Sequence, residues 1–288
     1  MRQKQYPIAD GHITTLELGD AGSAEHSMVF VHGWLDNAAS FEQLMPQLHQ
    51  QLPDWHLCAI DLPGHGLSSH KPGGSFYPFH DYIDDLHQFL SALPASQVVL
   101  VGHSLGALIT SCYSAAFPEQ VSGLVQIEGY GPLAEEPQLC VDRLRQGVID
   151  RQRLRRKPVR GFDSPEQAIM RRAGINQVSE QQIAPIVLRG LAQREQRWWW
   201  RHDIRLQSAS LYRMDFQHAE QFIQSVRCPQ LVILGQDGYS HLKSNMLKNE
   251  PPHAQFLQIP GGHHCHLQHP DRVNALISDL VNKIKTSV

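Results

Sequence analysis

Short apolar runs alternate with amphipathic stretches at both ends of this chain, and the middle breaks the pattern. Residues 28–32 (MVFVH), 57–61 (LCAID), 98–102 (VVLVG) and 124–128 (LVQIE) are rich in Val, Ile and Leu, and each closes on a polar residue or glycine. Runs of this length and composition predict strands buried on both faces. Between them, residues 41–51, 81–93 and 104–117 repeat apolar positions at helical spacing. The alternation resumes with residues 231–235 (LVILG) and 256–259, followed by a terminal helix over about 271–284. Strands that alternate with helices predict an α/β domain with a mostly parallel sheet covered on both faces. A further strand over 12–18 is expected to pair antiparallel at the sheet edge.

Residues 131–225 contain no convincing strand, are rich in Arg and include Trp198-Trp199-Trp200. They are expected to form a helical cap inserted over the strand ends, so the core comprises residues 1–130 and 226–288. Charge supports separate units. Residues 140–213 hold 16 of the 25 Lys and Arg but only 7 of the 28 Asp and Glu, while the whole chain carries −3. The Arg-rich stretch 151–160 reads as a solvated helix face, and the Trp triplet as packing. An acidic core argues against a nucleic-acid partner. No apolar run is long enough for a bilayer, and the first residues lack the apolar stretch of a secretory signal. Five scattered cysteines predict reduced thiols in a cytoplasmic protein, as a monomer or homodimer.

The chemistry concentrates at Gly102-His103-Ser104-Leu105-Gly106, between the run VVLV and a helical segment. A sharp strand-to-helix turn exposes the serine hydroxyl, and side chains at 102 or 106 would clash with neighbouring chain. Ser104 is therefore the candidate nucleophile. The amide of Leu105, at the helix start, is a candidate oxyanion donor. His32-Gly33-Trp34 follows an apolar strand and would present the Trp34 amide as the second donor, with His32 bracing the turn. A general base is expected late in the chain. His263, directly after Gly262, is the candidate, with His264 and His266 as loop packing or surface residues. Two carboxylates compete for the third position. Glu128 ends a buried strand, where an unpaired charge is costly; Asp237 follows LVILG in a turn-like Gln-Asp-Gly. Glu128 ranks first. Four adjacent ligands on the 263–266 loop would not converge on a metal, so no metal or cofactor is expected. The segment 61–68 (DLPGHGLS) is expected to shape the wall of the site.

With HGWLDNAASF at 32–41, DLPGHGLSSH at 61–70, GHSLG at 102–106 and PGGHHCHLQHP at 260–270, the sequence resembles the α/β-hydrolase superfamily, and in particular its serine hydrolase-like branch. The resemblance covers about residues 10–130 and 226–288. It implies a triad of Ser104, an acid and His263 with the Trp34 and Leu105 amides as oxyanion hole. Some haloalkane dehalogenases of this superfamily carry the acid after the sixth strand, as Glu128 would; the more widespread G-x-x-D pattern after the seventh is one residue short at Gly235-Gln236-Asp237. Dehalogenases and epoxide hydrolases use an Asp nucleophile, so Ser104 argues against both. The expected reaction is hydrolysis of a small ester, or a thioester or amide, through an acyl-enzyme. The alternatives are a carbon–carbon bond hydrolase or perhydrolase on the same triad, and a non-catalytic small-molecule receptor on the same scaffold.

Overall fold

The computed structural model describes residues 1–95, 97–245 and 254–286. The core strands are β1 (Arg2–Ile8), β2 (Gly11–Leu18), β3 (His26–Val31), β4 (Trp55–Ile60), β5 (Val98–His103) and β6 (Val121–Ile127). A two-stranded hairpin follows, β7 (Leu191–Arg194) with β8 (Arg197–Trp200), and then β9 (Gln230–Gly235) and β10 (Ala254–Ile259). Eight strands form one sheet in the order β1-β2-β4-β3-β5-β6-β9-β10. β3 to β6, β9 and β10 are mutually parallel, and β2 pairs antiparallel with β4. A mostly parallel sheet flanked by helices is the architecture that the alternating pattern predicts. Residues 12–18 do pair antiparallel, but they do not form the edge. β1, which covers β2 over its whole length, does.

Helices α1 (Leu44–Gln51), α2 (Asp81–Ser91) and α3 (Leu105–Ala116) connect the first strands. The insert between β6 and β9 carries α4 (Cys140–Arg156), α5 (Pro165–Asn176), α6 (Glu180–Arg189) and α7 (Phe216–Ser225). Helices α8 (Ser240–Asn245), α9 (Cys265–Gln268) and α10 (Pro270–Thr286) close the chain.

Because side chains alternate across a strand, each central strand feeds two cores. Met28, Phe30, Leu57, Ala59, Val99 and Val101 pack with Leu44 and Leu48 of α1 and with Val273, Ile277 and Val281 of α10. Val29, Val31, Cys58, Ile60 and Leu100 face the other way, onto Leu86 and Phe89 of α2 and Ile109 and Tyr113 of α3. Burial on both faces explains why these strands read as unbroken apolar runs.

The insert is not purely helical. The Trp triplet lies on β8, and Trp198 and Trp200 pack with Phe162 against a small core of Ala168, Ile183, Ile186, Val187 and Leu191. Several of its ties to the rest of the chain land on loops that follow carboxyl ends of core strands. Arg189 binds the buried carboxylate of Asp61, Nη2 to Oδ2 at 2.8 Å, and Arg172 Nη2 binds Asp36 Oδ1 at 2.6 Å. Asn37 Nδ2 donates to the Ile186 carbonyl at 2.7 Å, and Trp34 Nε1 to the Leu206 carbonyl at 2.9 Å. Arg153, Arg155, Arg156 and Arg160 are exposed, as a solvated face requires; Arg151 instead stacks over the Phe76 ring at 4.3 Å. The five cysteines are free thiols, four of them buried. Among the described residues no helix is long and apolar enough to cross a membrane.

Candidate active site

Ser104 occupies the β5–α3 turn with φ 49° and ψ −115°, in the left-handed half of backbone space that a residue with a Cβ rarely enters. The flanking glycines make the turn possible. A Cβ on Gly106 would stand 1.9 Å from the Val31 carbonyl oxygen, and one on Gly102 would meet the Gly106 carbonyl at 2.5 Å. The strain is held by the ladder: the Ser104 N–H donates to the Ile127 carbonyl at 2.9 Å. On the adjacent strand end Glu128 has φ 51°, and its N–H donates to Ile233 at 2.9 Å. Two non-glycine outliers side by side cost on the order of 1–3 kcal/mol each and tend to mark functional geometry.

These two strand ends meet the loop after β10. His263 Nε2 lies 3.1 Å from Ser104 Oγ, and His263 Nδ1 lies 3.2 Å from Glu128 Oε2. With the serine hydroxyl donating to Nε2, the ring proton sits on Nδ1 and donates to the carboxylate. Glu128 is buried, but its oxygens are satisfied: Oε1 accepts from the Gly235 amide at 2.6 Å and Oε2 from the Tyr239 amide at 3.3 Å. A Cβ on Gly238 would fall 2.1 Å from Glu128 Oε1, so the chain can wrap the carboxylate only as glycine there. The Tyr239 ring packs on His263 at 4.4 Å.

The structure thus brings Ser104, His263 and Glu128 together and leaves Asp237 out. Asp237 is exposed, and its N–H donates to the Gly261 carbonyl, while the carboxylate beside the imidazole is that of Glu128. Leu105 is the first residue of α3, where an amide has no intrahelical acceptor. Gly33 brings the turn holding Trp34 against the nucleophile: a Cβ on it would lie 3.2 Å from Ser104 Cβ. His32 braces this turn with a fixed tautomer, Nδ1–H donating to the Gly33 carbonyl at 2.7 Å and Nε2 accepting from the Leu62 amide at 3.0 Å. Burial holds its pKa below the usual histidine value.

His264 and His266, expected as packing or surface residues, are both buried. His266 Nε2 is 2.9 Å from Ser40 Oγ, and burial lowers its pKa to about 3. Sequence reasoning missed the support beneath them. His103 Nε2–H donates to the His263 carbonyl at 2.9 Å, and Asp36 sits between Arg172 and His264. The only signal was their place inside the quoted motifs. Of the segment 61–68, Asp61 does most: its carboxylate accepts from the Ala38 and Leu67 amides at 2.7 and 2.8 Å as well as from Arg189.

Known proteins share the family and the fold of this chain. The profile of the alpha/beta hydrolase fold family matches residues 27–171. A probable serine hydrolase of Drosophila melanogaster is 30% identical over 90% of this chain and 82% of its own length. A serine hydrolase-like protein of Danio rerio is 28% identical over 87% of this chain and 80% of its own. Among solved structures, a hypothetical protein of Pseudomonas aeruginosa PAO1 superposes with a TM-score of 0.85 at 27% identity, over 98% of this chain and 97% of that one.

Proposed function

Since this chain belongs to the α/β-hydrolase family, in its serine hydrolase-like branch, we propose that it is an esterase-type hydrolase acting through Ser104, His263 and Glu128. One observation carries the reading: an unbroken hydrogen-bonded relay from Ser104 Oγ through both ring nitrogens of His263 to a carboxylate with no exposed face. His263 takes the Ser104 proton as Oγ attacks the acyl carbon, and Glu128 holds the imidazolium that forms. The tetrahedral oxyanion is held by the Leu105 and Trp34 amides, which costs no reorganisation because both lie in fixed turns. Collapse expels the alcohol, protonated by His263, and water repeats the sequence to release the acid. The substrate class is a small ester, with a thioester or amide as variants, and residues 131–225 act as a cap that shapes its binding.

Ser104→Ala tests the reading. Turnover of a short p-nitrophenyl ester and labelling by a fluorophosphonate probe should both vanish while the thermal midpoint is retained. Unchanged turnover would sink the assignment. A wild type that neither turns over nor labels would favour a ligand-binding scaffold.

A further inference from the structure

Directly behind the relay, three groups converge from a strand end and two loops. Asp36 Oδ2 lies 3.4 Å from His264 Nε2 and 3.9 Å from His103 Nδ1, and one donor atom from each residue falls within 4.8 Å of the other two. All three side chains are buried, His103 with only 1% of its surface exposed.

One nitrogen that faces Asp36 in this cluster is left without a hydrogen bond. His103 spends its ring proton on the His263 carbonyl through Nε2, so Nδ1 presents a lone pair; that buried nitrogen has no hydrogen-bond partner. His264 Nε2 lies 3.0 Å from the Asn176 side-chain amide, and its approach to Asp36 helps hold that carboxyl well below the usual carboxylate range. Both ring nitrogens face the same carboxylate oxygen. Arg172 occupies Oδ1 of Asp36 and leaves Oδ2 to the imidazoles. A proton on His264 answers Asp36 and still leaves His103 Nδ1 opposed to the same oxygen. Burial, together with the neighbouring imidazoles, also holds His103 well below its ordinary pKa.

We propose that Asp36, His103 and His264 form a binding site for a borderline transition-metal cation of the Zn2+ class, whose occupation restrains turnover at Ser104. Ligand atoms of a tetrahedral zinc stand roughly 3.3–3.5 Å apart, so the carboxylate–His264 separation of 3.4 Å already fits, while the carboxylate–His103 separation of 3.9 Å and the imidazole–imidazole separation, within 4.8 Å, must contract. A metal-bound histidine ordinarily donates its other N–H to a backbone carbonyl or carboxylate, and His103 already does so. Asn176, whose amide lies 3.0 Å from His264 Nε2, is able to turn its carbonyl inward as a fourth ligand. His103 precedes Ser104 and His264 follows His263 in sequence, so drawing the two rings together displaces the relay. A misplacement of about 1 Å costs on the order of 10²-fold. Metal binding stands independently of the hydrolytic reading; the effect on turnover rests on it.

A second trio, Glu17, His56 and Cys58, is closely grouped as well. There the Thr15 hydroxyl and the Cys58 thiol donate to Glu17, and burial pushes the thiol pKa well up. His56 Nε2 approaches Glu17 Oε2 at 3.4 Å there without a hydrogen bond, but the carboxylate already takes two donors and the thiol keeps its proton, which a cation would have to displace.

The test is titration of chelator-stripped full-length protein with Zn2+ against a chromophoric competitor, paired with the visible spectrum of the Co2+ form. Binding of one ion per chain and d–d bands of low-coordinate Co2+ are expected. Asp36→Asn and His264→Gln should each weaken binding at least roughly 100-fold, beyond the usual cost of losing an outer partner. Cys58→Ser should change neither stoichiometry nor spectrum. The site is overturned if wild type binds no more tightly than the two variants. It is equally overturned if binding survives in both and disappears in Cys58→Ser, with a thiolate charge-transfer band in the wild-type spectrum. Two variants guard against Asp36→Asn failing to fold. On a wild type shown to turn over ester, saturation with Zn2+ should slow the rate tenfold or more; an unchanged rate at full occupancy would overturn the regulatory half.

Discussion

Glu128→Gln changes one atom and should remove most of the proposed activity. In the native site Oε1 faces the Gly235 amide at 2.6 Å, while Oε2 faces both the Tyr239 amide and His263 Nδ1. The glutamine carbonyl will take the shorter bond to Gly235, which puts its NH2 group where Oε2 was. That NH2 group opposes the Tyr239 N–H and can meet His263 only if Nδ1 gives up its proton. The imidazole then carries its proton on Nε2, facing Ser104, and cannot accept from the hydroxyl. The wrong tautomer costs on the order of 10⁴ in kcat in a serine triad, equivalent to about 5.4 kcal/mol at 1.36 kcal/mol per decade. Fold stability should fall far less, about 1–3 kcal/mol, for one charge-assisted bond lost and one amide left opposed. The assay is kcat for a short p-nitrophenyl ester beside the fluorophosphonate labelling rate, with a urea titration as the folding control. Both rates should drop together. Asp237→Asn should stay within about twofold of wild type, since its side chain faces solvent. A larger loss at Asp237 than at Glu128, or a Glu128→Gln loss under tenfold, would refute the reasoning.

Three further outcomes follow from the same contacts. Gly238→Ala drives a methyl group to within 2.1 Å of Glu128 Oε1, so kcat should fall at least about tenfold (1.36 kcal/mol) with KM little changed; wild-type kcat would show that the loop yields freely. Arg189→Leu leaves the Asp61 carboxylate, with 0% exposed surface, short of its cation and should cost about 3 kcal/mol in urea unfolding; a loss below about 1 kcal/mol would mean the two amides suffice. Burial lowers His266 to about 3 and His202 to about 4 from an ordinary 6.5. Below pH 6.5 the unfolded chain therefore binds protons that the fold refuses. Stability is complete above pH 6.5 and falls as pH drops toward 4, by up to about 1.4 kcal/mol per pH unit for each histidine. Urea midpoints at pH 7.5 and 5.0 should differ accordingly, and equal midpoints would show both rings protonated in the fold.

What the sequence made legible was local. The elbow announces itself because its glycines answer clashes with Val31 and with its own turn, and the central strands because both of their faces are buried. β1 escaped notice because an edge strand facing water needs no apolar run; RQKQYPI has only Tyr6 buried. The β7–β8 hairpin escaped for a different reason. Its turn residues, Glu195 and Gln196, sit at φ 49° and 63°, a conformation usually announced by Asn-Gly or Gly-Gly. The competition between Glu128 and Asp237 was not decidable locally, because it turns on how β9, the 236–239 turn and the loop after β10 wrap one carboxylate. His103 and Asp36 were hidden in the same way: 66 residues of chain lie between them, and only the sheet makes them neighbours.

The turn of residues 34–37 carries a proposed oxyanion amide and three of the insert's ties, through the Trp34 indole, Asp36 and Asn37. For anyone seeking to graft a different insert onto this core, recognition and rate are therefore not independent dials. A foreign segment lacking acceptors equivalent to the Leu206 and Ile186 carbonyls, or a cation equivalent to Arg172, would loosen the turn that positions the amide. Exchanges designed to widen substrate range should first register as slower chemistry on every substrate, and would be repaired by restoring those three contacts before any reshaping of the pocket.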